Sequence, residues 1–324
     1  MEEIACIFCN IWSERVLIEE NGYLGRKCDN CGLIYISPRP RIDAVTHLYE
    51  DDNARISAEA HISLERRSRL YARHHLDILG KFSDAGSLLE IGAGAGYFLD
   101  EARKRGYEPY AIEFNPAQAD FMRTTLEIPC DQAPLNAGSF DGKAFDVIYH
   151  SDVISHFSDP IEEFRKMNTA LRAGGWLIFE TGNGGDVDPK YFKHISVFQY
   201  PDHLFFFSLR NLRDLLQQSG FDFVELRRYS VLPQLMTVEA LHAAKRLLKG
   251  RVPAAASAGD AAAATPAAET SAAIEASRMG GAVKHRLGDV SDYANYLLRY
   301  TVGAVAPKAS RPQTLVVVAR ARPR

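Results

Sequence analysis

The stretch Ser87-Leu88-Leu89-Glu90-Ile91-Gly92-Ala93-Gly94-Ala95-Gly96 decides how this chain folds. Its first half is a short, mostly apolar run, the pattern of a strand buried on both faces. Three glycines at alternate positions then make a turn that suits residues without a Cβ. Tyr97–Arg105 continues as a helix, Gly106 stops it, and Tyr107–Ile112 reads as a second strand ending at Glu113. Strand, glycine turn, helix, strand, acid is a βαβ nucleotide-binding unit, whose ligand belongs at the carboxyl ends of the strands.

The glycine spacing is G-x-G-x-G. The third glycine of a dinucleotide fingerprint would fall at position 97, which is Tyr. A carboxylate, Glu90, tops the first strand two residues before Gly92. Beside a pyrophosphate that charge repels; beside the ammonium and sulfonium of S-adenosylmethionine (SAM) it attracts. Glu113 lies 23 residues further on, where an acid at the second strand end accepts ribose hydroxyls.

On these residues the chain resembles the class I SAM-dependent methyltransferases. The likeness continues through Phe145-Asp146-Val147-Ile148-Tyr149 as a fourth strand and Ser151–Pro160 as the loop and helix start after it. It extends to Leu171–Glu180 as the turn into a fifth strand, and to Tyr200–Phe207 with Leu212–Phe221. The resemblance implies an α/β fold: a Rossmann-like, doubly wound, seven-stranded sheet with an antiparallel last strand. It also implies that Glu90, Gly92 and Gly94 hold the methionine moiety and Glu113 the ribose. Phe114 then lines the adenine, Asp131 or a neighbour meets its amine, and His150 and Ser151 lie under the sulfonium. The third strand, Glu127–Cys130, is weakly marked.

Methyl transfer to a hydroxyl needs a base, and imidazole titrates near neutrality. His156 and His203 follow elements that open onto the carboxyl end of the sheet, and both are expected as catalytic bases; His150 is a third candidate. Related small-RNA methyltransferases carry a metal-binding Glu-x-x-Glu-His where this chain reads Asp152-Val153-Ile154-Ser155-His156, so a catalytic magnesium is not expected.

In front of the core, Cys6-Ile7-Phe8-Cys9 and Cys28-Asp29-Asn30-Cys31 are two C-x2-C pairs with 18 residues between them, the spacing of a zinc ribbon. Four cysteines leave no open coordination position, so a structural zinc is expected. Asn10 and Gly32 follow the pairs where positive φ is wanted, and Asn21-Gly22 marks a hairpin between Arg15–Glu20 and Tyr23–Lys27. By the resemblance, the ribbon places the chain in a bacterial subgroup acting on small metabolites or sugars.

The expected organisation is a ribbon (1–37), a helical connector (38–85), the SAM-binding core (86–230), a helical insertion (231–312) and the last core strand (313–324). Within the insertion, 253–275 is an Ala-rich linker, while 237–249 and 290–302 read as amphipathic helices, a lid or a homodimer contact. Hydrophobic residues are 46% of the chain and its net charge is −3, which excludes a strongly basic nucleic-acid binder. From position 241 there are 13 Lys/Arg against 5 Asp/Glu, a net of +8, so the first 240 residues carry −11. No apolar run approaches the ~18 residues of a membrane span, and a cytoplasmic location is expected, given an acidic start and cysteines in metal-site spacing. The reading for function is O-methylation of a small hydroxylated metabolite or sugar. The alternatives are C-methylation of a nucleotide-linked sugar, methylation of RNA gripped by the ribbon, and SAM binding without turnover.

Overall fold

The computed structural model describes residues 1–41, 59, 61–195, 198–237, 291–305 and 307–323. The amphipathic stretch expected over 237–249 and the Ala-rich 253–275 lie almost wholly outside these residues.

The hairpin forms as expected. β1 (Val16–Glu20) and β2 (Tyr23–Lys27) pair antiparallel across Asn21 and Gly22, whose φ values are 54° and 80°. β3 (Ile34–Ile36) pairs with β2. Helix α1 (Glu65–Leu79) leads into β4 (Gly86–Ile91), α2 (Tyr97–Arg103) and β5 (Tyr107–Ile112), the βαβ unit. Then come α3 (Pro116–Thr124), β6 (Cys130–Asp131), β7 (Phe145–Ser151), α4 (Pro160–Ala170) and β8 (Leu171–Gly182). β9 (Phe205–Phe206), α5 (Leu209–Gln218), β10 (Phe221–Ser230), α6 over 291–300 and β11 (Gln313–Ala321) follow.

Among the described residues seven strands form the main sheet, in the order β10-β11-β8-β7-β4-β5-β6. β8, β7, β4, β5 and β6 run parallel, and β11 is antiparallel to both β8 and β10. This is the doubly wound sheet with an antiparallel last strand that the motifs imply. The weakly marked third strand is a two-residue pairing at the sheet edge, where Ile112 faces Asp131.

Each face of the sheet carries its own apolar core. On one, Leu76 and Leu79 of α1, Leu99 of α2 and Met122 of α3 pack against Leu88, Tyr149 and Val316. On the other, Phe164 of α4 and Leu212 and Leu215 of α5 pack against Leu89, Ile148 and Phe179. That second core runs on into the ribbon through Ile18, Leu33, Ile34 and Tyr35. β9 pairs antiparallel with β3, so a strand from beyond β8 completes a four-stranded sheet whose other members belong to the ribbon.

Candidate active site

The glycine turn sits at the carboxyl end of β4, and Gly92, Gly94 and Gly96 all have positive φ, 68°, 56° and 74°. Two carboxylates crown the crevice beside it. Glu113 is buried, and its Oε2 accepts from the Gly94 N–H and its Oε1 from the Asn115 N–H, both at 2.8 Å. Burial nonetheless lifts its carboxyl above the ordinary range, against the pull of those donors. Glu90 is 5% exposed, and its Oε2 has no hydrogen-bond partner among the described residues. Burial first, and the charge of Glu113 second, raise its carboxyl well above the usual value. Burying an ionised carboxylate without a partner costs several kcal/mol, so the pair creates a demand for a cation or donor in the crevice.

The space above the turn meets that demand. A Cβ on Gly94 would find its nearest atom, Gln118 Nε2, only at 3.9 Å, so the backbone there is open to a ligand. Gln118 Nε2 is in turn 3.3 Å from His61 Nδ1, which brings the approach to α1 over the crevice. Asp131 is half-buried at the tip of the next strand, where its carbonyl accepts the Glu113 N–H at 3.1 Å, and Phe114 is 46% exposed at the rim. The orphaned Glu90 oxygen, the doubly held Glu113 and the open glycine backbone together fit an ammonium, ribose hydroxyls and a sulfonium.

Next to the crevice lies a buried polar cluster in which Ser151 is the one residue that the motifs mark as a site residue. Glu180, on β8, is reached by His75 of α1 at 3.1 Å, by Ser151 Oγ at 3.3 Å and by Arg299 of α6 at 3.4 Å. His75 Nδ1 also meets the Tyr149 hydroxyl at 2.6 Å. Burial raises Glu180 and lowers His75 to about 3, so His75 is neutral at physiological pH. Tyr296 and Tyr300 of α6 pack on Tyr71 and His74 of α1. Helix α6 is thereby fixed to α1.

The candidate bases His156 and His203 lie in the segments after β7 and β8. The 152–156 turn rests on the glycine turn: a Cβ on Gly92 would come within 2.6 Å of Val153 Cγ2. Asp152 adopts a left-handed φ of 54° and keeps contact with solvent, yet burial first and Glu180 second raise its carboxyl. His156 Nδ1 is 3.1 Å from Asp202 Oδ1, and the His203 ring centroid lies 4.8 Å from that of His156. Burial alone would lower His156, but its bond to Asp202 and the Asp202 charge outweigh it and hold the imidazole above its ordinary value. His203 goes the other way, to about 4, through burial and the neighbouring His156. The fold brings both histidines together beside Asp202, and the Asp202 carboxylate orients His156 through Nδ1. With Nδ1–H donated to Asp202, its Nε2 is the atom left to accept a proton.

His150 departs from expectation. β7 is buried on both faces, and Tyr149, not His150, points to the crevice side with Glu90. The His150 ring stacks on Phe179 at 5.0 Å in the opposite core, fully buried, with neither nitrogen partnered among the described residues. Burial lowers it to about 3. It is a neutral residue of that core, on the face opposite Glu90.

The four ribbon cysteines converge. Their sulfurs lie within 4.8 Å of one another, and Cys6 Sγ and Cys31 Sγ are 3.4 Å apart. A tetrahedral S4 site with Zn–S near 2.3 Å has edges of about 3.8 Å, so the set is at the right scale for zinc. Asn10 and Gly32 carry φ of 52° and 77°, as the spacing predicts, and Asn30 Nδ2 donates to Cys9 Sγ at 3.2 Å. Such donors to a sulfur stabilise its thiolate form.

With this geometry described, the likeness to known proteins is direct. Residues 63–226, half of the chain, match the family described as the methyltransferase domain. The chain belongs to that family. Its relatives include the ubiquinone biosynthesis O-methyltransferase of Ruegeria pomeroyi, 28% identical over 166 residues, 45% of this chain and 64% of that protein. The tRNA U34 carboxymethyltransferase of Wolinella succinogenes is 30% identical over 115 residues, 33% of this chain and 39% of that protein. The chain therefore spans less than two thirds of the length of these curated relatives. Among solved structures, phosphoethanolamine N-methyltransferase 2 of Haemonchus contortus, in complex with S-adenosyl-L-methionine, aligns with a TM-score of 0.41 and 17% identity, over 78% of this chain and 53% of that one. Among the described residues of the methyltransferase, no helix is long and apolar enough to cross a membrane.

Proposed function

We propose that this methyltransferase acts on a hydroxyl of a small hydroxylated metabolite or sugar, with His156 as general base. Bound SAM supplies an electrophilic methyl group on a sulfonium. Glu90 takes its ammonium, Glu113 the ribose hydroxyls, and Asp131 and Phe114 the adenine edge and face. His156 Nε2 removes the acceptor's proton as the new bond forms, and Asp202 stabilises the imidazolium that results. The proton then passes to solvent at the cleft mouth, where His156 is partly exposed. Cys6, Cys9, Cys28 and Cys31 hold a structural zinc.

The observation that carries this reading is the His156–Asp202 pair, on a turn whose Val153 lies against Gly92 of the glycine turn. A panel of hydroxylated metabolites and sugars, incubated with SAM and scored by mass spectrometry, tests it. On the acceptor so found, His156→Asn lowers kcat by about 10²–10⁴-fold and leaves SAM affinity intact. Full turnover in that variant removes the base. The tRNA-named relatives favour a second reading, transfer to RNA. The −11 charge of the first 240 residues opposes it, and a salt-sensitive gel shift with tRNA would promote it.

A further inference from the structure

The ribbon reaches the catalytic pair through its hairpin tip. Both carboxylate oxygens of Glu20 are spent outside the ribbon: Oε1 accepts the Phe198 N–H at 2.9 Å and Oε2 the Tyr200 N–H at 2.8 Å. Asn21, in the turn itself, donates from Nδ2 to the Tyr200 carbonyl at 2.8 Å. A Cβ on Gly25 of β2 would collide with the Tyr200 side chain, so the ribbon leaves room for that ring. Further along, β9 pairs with β3, and Leu204 bridges the ribbon to the catalytic turn. Its carbonyl accepts the Ile36 N–H at 3.0 Å, and its N–H donates to the Ser155 carbonyl at 2.7 Å.

Between these two anchors lies a tight turn, closed by the His203 N–H on the Gln199 carbonyl at 3.0 Å, with Gln199 at a φ of 64°. A non-glycine residue in that region is held there by its surroundings, not by its own preference. Asp202 and His203 sit on this turn. The carboxylate that orients His156 is therefore placed by contacts from residues 20, 21 and 34–36, far away in the chain.

We infer that Glu20 and Asn21 are positioning residues for methyl transfer, the ribbon hairpin holding the 199–203 turn so that Asp202 stays on His156. This rests on the reading of His156 as the base.

The test uses the full-length protein and needs no acceptor. Titration of 15N-labelled histidines by NMR reads the His156 ring, its signal identified by its loss in His156→Asn. The charged and titratable groups facing that ring are Asp202, His203 and Asp152. Glu20→Gln replaces an acceptor by an amide N–H that opposes a backbone N–H; Asn21→Asp removes the donor and keeps a side chain that tolerates the turn. Both variants are expected to shift the His156 pKa downward, part of the way to its value in Asp202→Asn. Calorimetric SAM affinity should stay within about twofold of the parent, showing that the core is intact. If Asp202→Asn lowers the His156 pKa and neither hairpin variant moves it, the ribbon does not position the pair, and the inference is overturned while the base reading stands. If Asp202→Asn itself leaves His156 unmoved, the pairing fails first and takes the inference with it.

Discussion

The crevice proposed for SAM and the proposed catalytic pair are built in opposite ways. Glu90, Gly92, Gly94 and Glu113 lie on one continuous βαβ unit, and Glu113 is held by backbone N–H groups from its own turns. His156 depends on Asp202, 46 positions away, and Asp202 depends on a hairpin at residues 20–21. The donor site is a local structure; the acceptor chemistry is a long-range one. Perturbations should therefore separate the two, with damage at a distance showing in turnover and stability before it shows in SAM affinity.

The largest expected effect is at the metal. Zinc binding is worth roughly 10–16 kcal/mol in small zinc-finger peptides, and ~37 residues cannot bury enough surface to fold without such help. Cys28→Ser should abolish stoichiometric zinc by elemental analysis and lower Tm by many degrees, because the ribbon shares the α4/α5 core. A zinc-free variant that melts like the parent would break the link between cluster and fold.

A smaller effect concerns pH. Asp202 holds His156 above its ordinary value, so the neutral, base-competent form is lost as pH falls through that raised pKa. The acid limb of kcat/KM should therefore lie above about 6.5, the ordinary imidazole value. Asp202→Asn should move it down. A limb that ignores Asp202 would locate the base elsewhere.

The smallest is at His150. Its folded pKa is depressed to about 3, so the unfolded chain binds more protons between its own value and that one. The stability tied to this ring is fully present above about 6.5 and falls as pH drops, at about 1.4 kcal/mol per pH unit. His150→Leu should be neutral or stabilising by ~1–2 kcal/mol at neutral pH, since it removes two unpartnered buried nitrogens. Urea melts at pH 7 and pH 5 should show a shallower acid loss than the parent. A loss of methyl transfer with SAM still bound would instead return His150 to the site.

Local features explain what the sequence discloses. The Ser87–Gly96 turn, the Asn21-Gly22 hairpin and the C-x2-C knuckles each declare themselves within a few residues, because positive φ, chain reversal and ligand spacing are short-range demands. β7 does not. Val147, Ile148, Tyr149 and His150 are all buried, so no alternation tells which of Tyr149 and His150 faces the crevice. Asp202 in Pro201-Asp202-His203 looks like an ordinary turn residue, and Glu20 like a solvated hairpin end; only the fold brings them to His156 and Tyr200. The amphipathic pattern around Tyr296 and Tyr300 marks a packing helix, but not that Arg299 would meet Glu180 on β8.

Calorimetric titration of SAM into the parent and into Glu113→Ala tests the central claim most directly, that two acids at adjoining strand tips hold the positively charged donor. The parent should bind SAM, and the variant, which loses two charge-assisted bonds to the Gly94 and Asn115 N–H groups along with its ribose acceptor, should bind at least about tenfold more weakly. Equal affinity in both proteins would contradict it.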